Sequence, residues 1–159
     1  MKSCVVIYNP NSGHTLKTKH LKEYKIILEK HGYSARFIGT EYRGHAKEII
    51  SHLDKCDLVI SMGGDGTFNE AVTGNLQRKD RLVLAHIPVG TTNDVGVMFG
   101  YGKDIKRNLS LLLNGVTKEM DICIINGQPF VYVAGFGKFM HIPYQTSRTL
   151  KKKWIWMCR

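Results

Sequence analysis

The sequence predicts an α/β fold: a mostly parallel sheet with helices on both faces, followed near the C-terminus by an antiparallel hairpin. Three observations predict it. Short apolar runs of strand length alternate with segments whose apolar residues recur at helical spacing. Three of those runs pass directly into loops of turn and glycine residues, at Asn9, Gly63 and Gly90. Strand, loop and helix repeated in this order imply right-handed crossovers, so all three loops share the edge at the carboxyl ends of the strands, where such sheets bind ligands.

Residues 3–8 form the first strand, because Cys4, Val5, Val6 and Ile7 are continuously apolar, as a strand covered on both faces requires. The cluster Asn9-Pro10-Asn11-Ser12-Gly13 ends it. From about residue 16 to 31, Leu21, Tyr24, Ile27 and Leu28 keep helical spacing, and Gly32 stands where a helix-terminating glycine belongs. A second strand at residues 35–38 and a helix at 45–53 lead to a third strand at 57–60. It feeds Ser61-Met62-Gly63-Gly64-Asp65-Gly66, read as a loop, and then a helix to about Leu76. Residues 82–87 make the fourth strand, which enters Pro88-Val89-Gly90-Thr91-Thr92-Asn93-Asp94. An amphipathic helix spans 104–114 and is closed by Gly115. Two further strands, 119–125 and 129–134, flank Asn126-Gly127, the strongest hairpin signal in the chain. The expected organisation is an α/β domain over 1–125 and the beginning of a β-rich domain over 126–159.

The 159 residues suit an ordinary globular core, with 43% hydrophobic content. There is no run of eighteen apolar residues for a spanning helix and no h-region of secretory-signal length after Met1, which points to the cytoplasm or its membrane face. Cys4, Cys56, Cys123 and Cys158 lie far apart without zinc spacing and read as reduced packing residues. Against 13 acidic residues stand 23 Lys and Arg, a formal charge of +10 that favours anionic partners.

The glycine cluster carries the chemistry. Residues without Cβ allow positive φ and close approach of backbone N–H groups to a ligand, and the following helix aims its unpaired amides at the same place. Asp65 would repel a phosphate it faced directly. It therefore works through a divalent cation or holds the loop by hydrogen bonds. The bland alternative is a glycine-rich turn with an Asx hydrogen bond.

Taken together, Asn9-Pro10-x-Ser12-Gly13, Gly63-Gly64-Asp65-Gly66-Thr67-x-Asn69-Glu70 and Pro88-x-Gly90-Thr91-x-Asn93-Asp94 resemble, in order and spacing, the diacylglycerol kinase catalytic domain family. The resemblance extends over nearly the whole chain and is nearest to the bacterial soluble lipid kinases. Sphingosine kinases are more distant, and NAD kinases share chiefly the Gly-Gly-Asp-Gly core. It implies ATP-dependent phosphorylation of a lipid hydroxyl, diacylglycerol first, with magnesium as cofactor. It also implies nucleotide contacts from Asn9, Pro10, Asn11, Ser12 and Gly13, from Thr40, from Gly63, Gly64, Asp65, Gly66, Thr67, Phe68 and Asn69, and from Thr91. Asp65, Asp94 and Asp121 correspond to the acidic set around magnesium and the triphosphate, directly or through water, and Asp65 is the catalytic candidate. Each has a plainer role open to it: Asp94 as a helix N-cap, Asp121 as a strand cap, Thr40 as an ordinary loop residue.

The family continues into a second, β-rich domain that supplies the general base, and no residue here matches that base. The expectation is a donor-binding half, apparently truncated, that binds ATP weakly and has little kinase activity alone. Lys151, Lys152 and Lys153 beside Trp154 and Trp156 suggest peripheral contact with an anionic inner-membrane face, and a homodimer is a further expected partner. Nucleic acid is not expected, because the basic residues are not interleaved with aromatics in any recognised motif. A soluble NAD kinase-like phosphotransferase and a non-catalytic basic binding module are the alternatives.

Overall fold

The computed structural model describes residues 1–12 and 18–135. Gly13, the segment Phe136-Gly137 and the basic-aromatic stretch from Lys151 to Trp156 lie outside the described residues.

Four parallel strands, β1 (Lys2–Tyr8), β2 (Tyr33–Gly39), β3 (Leu58–Gly63) and β4 (Leu84–Pro88), form one sheet in the order β2-β1-β3-β4. The helices are α1 (Thr18–Lys30), α2 (His45–Ser51), α3 (Asp65–Leu76), α4 (Asp94–Met98) and α5 (Ile105–Leu113). A separate antiparallel pair, β5 (Cys123–Ile125) and β6 (Gln128–Phe130), turns through Asn126 at φ 48 and Gly127 at φ 74, as the Asn-Gly signal predicts. Gly32 takes φ 83 at the end of α1, also as expected.

The apolar strands fill two layers by simple alternation. Cys4, Val6, Leu58, Ile60, Met62 and Ile87 face Tyr24 and Leu28 of α1 and Ile105 and Leu109 of α5. Val5, Ile7 and Val59 face Ala46 and Ile50 of α2 and Ala71 of α3. Because β1 sends its crossover to one side and β2 returns past it to β3, the strand order reverses between β1 and β3, which places the crevice of this sheet between the loops after Tyr8 and Gly63.

Several expectations change. Strand β3 does not stop at Ile60: Ser61, Met62 and Gly63 pair with His86, Ile87 and Pro88, because a strand flanked on both sides has backbone partners to its end. The helix then begins at Asp65, and Gly64, at φ −89, is the only link between strand and helix. The expected positive φ in this cluster is absent; among the described residues the left-handed glycines are Gly32, Gly44, Gly100 and Gly127. The helix α4 occupies the apolar stretch after the loop read at residues 88–94, to which the sequence reading assigns no element. The hairpin strands are shorter than expected, and Cys123 is exposed rather than a packing residue. Cys4 is buried, which pushes its thiol up to about 12 and keeps it protonated.

His86 is the unusual core residue. Only 1% exposed, it stacks on Phe68 with centroids 4.7 Å apart, and its Nδ1 lies 3.1 Å from the Ser61 carbonyl oxygen. Neither its Nε2 nor the hydroxyl of Ser61 meets a partner among the described residues. Burial pulls its pKa down to about 4 from 6.5, so the ring is neutral in the folded chain at physiological pH.

Two predictions follow from this packing. Gly74 of α3 sits against the Lys47 carbonyl, where a Cβ would overlap backbone oxygen and carbon. In an exposed helix Gly→Ala stabilises; here overpacking against backbone wins, and Gly74→Ala should lower stability by about 1–3 kcal/mol in denaturant unfolding. For His86, the unfolded ring gains its proton below about 6.5 and the folded ring only near 4. The stability associated with its neutral form is thus complete above 6.5 and is lost as pH falls toward 4. His86→Gln should reduce the loss of stability between about pH 7.5 and about pH 4.5 by about 2–3 kcal/mol. An unchanged difference between the two unfolding curves would contradict this.

Candidate functional site

Helix α3 organises the sheet edge through three side chains of its first two turns. Asp65 accepts hydrogen bonds from the backbone N–H of Asp94 at 3.2 Å and of Val95 at 3.1 Å, so its carboxylate clamps the start of α4. Asn69 accepts from the N–H of Val131 at 3.1 Å and donates to the Pro129 carbonyl at 3.4 Å, holding the β5-β6 hairpin. Glu70 accepts from the N–H of Gly44 at 2.9 Å and fixes the turn that opens α2. Of the two expected modes for Asp65, hydrogen bonding of the loop is the one the structure displays.

The two glycine loops lie back to back. A Cβ on Gly90 would come within 2.6 Å of the Gly64 Cα and 2.8 Å of the Asn93 Oδ1, and one on Gly63 within 2.6 Å of the Thr67 side chain. These glycines serve close approach, and no other residue fits. Asn93, left-handed at φ 60, closes the second loop by accepting from the Gly90 N–H at 2.7 Å and donating to its carbonyl at 2.8 Å. The sequence alternative of Asp94 as an N-cap falls one residue off: Asn93 is the cap and Asp94 the first helical residue.

The first loop joins the same edge. Asn9 accepts from the N–H of Asn11 through its side chain at 2.9 Å and from Ser12 through its carbonyl, while its own N–H donates to Met62 across the switch point. The N–H of Thr40 donates to the Tyr8 carbonyl at 2.8 Å. Asn9, Asn11, Thr40, Gly66 and Thr67 line a cleft of about 420 Å³ together with Glu41, Tyr42, Arg43 and Glu70. No side chain caps α3, which leaves its N-terminal amides directed at this region.

Other expected residues stand apart from the cleft. Phe68 is buried, stacked on His86 and set edge-on to Phe99 at 6.3 Å. Pro10 and Thr91 are exposed, and Ser12 is buried behind the first turn. Asp121 is exposed next to Ile122, which packs on Phe68, Val72 and Val95. Among the described residues no three His, Cys, Asp or Glu side chains come together to hold a metal ion. The donor set fits a magnesium ion bound jointly with nucleotide phosphates, since Mg²⁺ ordinarily takes one or two carboxylates and completes its shell with phosphate and water.

Sequence reasoning missed the wall formed by Glu41, Tyr42 and Arg43. Tyr42 stacks on His45 with centroids 4.4 Å apart and donates its hydroxyl to Glu48 at 2.5 Å, a bond that raises its pKa. The available signal was Gly44, four residues after Thr40, whose φ of 91 turns the chain into α2 and folds the intervening residues back over the cleft.

The Diacylglycerol kinase catalytic domain profile matches residues 3–125. A diacylglycerol kinase of Bacillus subtilis is 38% identical over 154 residues, covering 95% of this chain and 51% of that protein. One of Staphylococcus epidermidis is 38% identical over 152 residues, covering 94% of this chain and 48% of that protein. The crystal structure of a diacylglycerol kinase from Bacillus anthracis superposes with a TM-score of 0.72 at 29% identity, covering 81% of this chain and 48% of that one. The chain thus spans about half the length of the curated relatives it matches. The profile covers well over half of the sequence and the fold superposes on the same family, and the chain belongs to the diacylglycerol kinase catalytic domain family.

Proposed function

We propose that this chain binds MgATP at the sheet edge and serves as the phosphate-donor half of a lipid kinase whose acceptor is a lipid hydroxyl, diacylglycerol being the leading candidate. The observation that carries this reading is the back-to-back seating of Gly64 and Gly90 beside the open N-terminus of α3, at the point where the strand order reverses. Backbone there approaches as closely as a triphosphate cradle needs, and the helix amides supply donors without a lysine. Asn9, Asn11, Thr40 and Thr67 add neutral donors and acceptors, and Arg43 adds one cation.

Phosphoryl transfer asks mainly for positioning and charge neutralisation. Magnesium, when bound with the nucleotide, supplies the second. Asp65 engages two amides and so meets the phosphates with part of its charge already balanced, while retaining lone pairs for a metal-bound water. Thr67 and Gly66 hold the donor from the helix side, and Asn9 and Thr40 from the switch point. In the same reading residues 1–125 are the nucleotide-binding domain, residues 126–159 open a second β-rich domain, and the chain alone is a weak kinase because no general base for the lipid hydroxyl is among its site residues. Its place is the cytoplasm, at the inner membrane face. No helix among the described residues is long and apolar enough to cross a membrane.

Isothermal titration of ATP with magnesium tests the reading. Wild type should bind, and Gly90→Ala, which forces Gly64 away, should weaken binding about tenfold or more. Asp65→Asn should weaken it less than Gly90→Ala without magnesium and comparably with it. A folded wild type that ignores ATP would sink the proposal. Phosphate transfer to NAD in preference to diacylglycerol micelles would favour the NAD kinase alternative.

A further inference from the structure

The end of helix α4 and the residue that caps it present three consecutive exposed apolar side chains, Val97 at 68% exposure, Met98 at 63% and Phe99 at 44%. The inner side of the helix explains why. Val95 is 1% exposed, and Gly96 lies so close to β4 that a Cβ would stand 2.5 Å from the Pro88 ring, so α4 is pressed flat on the sheet with the next residues turned outward. Nothing in the packing of the described residues asks Val97 and Met98 to be apolar.

We propose that Val97, Met98 and Phe99 form a ridge that seats this chain on an anionic lipid bilayer, with Lys103 and Arg107 beside it as headgroup contacts. The proposal rests on the lipid-kinase reading and adds the surface by which the acceptor is approached. Three features suit a bilayer. The ridge exposes no unpaired amide: the N–H groups of Val97, Phe99, Gly100 and Tyr101 donate to Asn93, Val95, Val97 and Gly96 carbonyls, as an apolar interface requires. It is stiff, because Gly100 at φ 75 closes the helix and Phe99 is held between Phe68 and Tyr101 at 6.3 and 6.2 Å. The segment that follows the ridge is basic, with Lys103, Lys106 and Arg107 against Asp104 between residues 99 and 110. The Asp104 carboxylate accepts from the N–H groups of Lys106 and Arg107, and the Lys106 ammonium pairs with Glu23 at 2.8 Å, which leaves Lys103 and Arg107 as the cations open to headgroups.

A second copy of the chain is the competing occupant. It would bring two such basic rims together on molecules that each carry a formal charge of +10, whereas a phosphatidylglycerol surface attracts them. Position also favours the bilayer. Met98 lies only about 6 Å of helix rise from Asp94, whose amide is bonded to Asp65, so a bilayer at the ridge comes within one turn of the donor site.

Vesicle co-sedimentation at low and high salt, with phosphatidylcholine alone and with added phosphatidylglycerol, tests this. Wild type should bind the anionic vesicles and release with salt. The double variant Val97→Asn, Met98→Gln should lose about tenfold or more in partitioning while keeping wild-type thermal unfolding and MgATP binding in the same preparation. Lys103→Gln with Arg107→Gln should flatten the salt dependence. Vesicle binding untouched by the apolar pair overturns the proposal, as does a wild type that binds ATP but no vesicles. So does sedimentation velocity showing a dimer that the apolar pair dissolves while vesicle binding persists. Vesicle binding without ATP binding would leave the ridge standing and remove the donor-site reading instead.

Discussion

The hydrogen bonds from Asp65 to the amides of Asp94 and Val95 are the constraint on which the sheet edge depends. Strands β3 and β4 pair as far as Gly63 and Pro88, and one further backbone bond runs from the Val89 N–H to the Gly63 carbonyl at 2.8 Å. Beyond it, the carboxylate ties the start of α3 to the start of α4. Each charge-assisted bond of this kind contributes about 1.5–3 kcal/mol, enough to hold a short helix that could not form alone. Glu70 and Asn69 repeat the device one turn further along, so one helix sets the α2 turn, the α4 start and the β5-β6 hairpin together.

This arrangement explains why α3 is a poor helix by its own composition. It carries Gly66 in its first turn and Gly74 further along, where glycine costs about 1 kcal/mol relative to alanine in a helix, and it shows little separation of polar and apolar faces. Its stability comes from outside: Ala71 in one layer, Phe68 and Val72 packed with Val95 of α4, and Gly74 seated against the α2 backbone. The glycines that weaken the isolated helix are those that let it approach α2 and leave its first turn open. His86 and Ser61 extend the same compromise into the core, where two polar atoms have no partner among the described residues and the core accepts a cost that apolar residues would avoid.

Much of this was legible in the sequence because it rests on local chemistry. Continuous apolar runs mark strands covered on both faces, Gly32 and Asn126-Gly127 mark turns that need positive φ, and Asp104 marks the start of α5, whose N–H groups at Lys106 and Arg107 it caps. The loops at Asn9, Gly63 and Gly90 fall on one edge because each follows a strand of one parallel sheet. What was not legible depends on contacts distant in sequence. Ser61 to Gly63 read as loop from composition but belong to β3, since β4 and β1 supply partners that a glycine count cannot register. Short helix α4 exists because Asp65 reaches its amides from 29 and 30 residues away. Arg43 enters the cleft because Gly44 turns left-handed, and Phe68 leaves it because His86 offers a ring beneath.

The same geometry bears on the carboxylate that looked out of place in a phosphate loop. A free Asp at 4 Å from a phosphate would face a repulsion of about 4 kcal/mol at a surface-like dielectric, more than one additional backbone donor offsets. Two amides pointing at Asp65 change the balance, because their dipoles and that of α3 place positive potential on the side of the carboxylate that faces the loops. Under the proposed MgATP reading, its remaining lone pairs would face a hydrated cation rather than a bare anion. Holding the loops is the role built into the fold. In that reading the same two bonds would orient the oxygens for a metal-bound water.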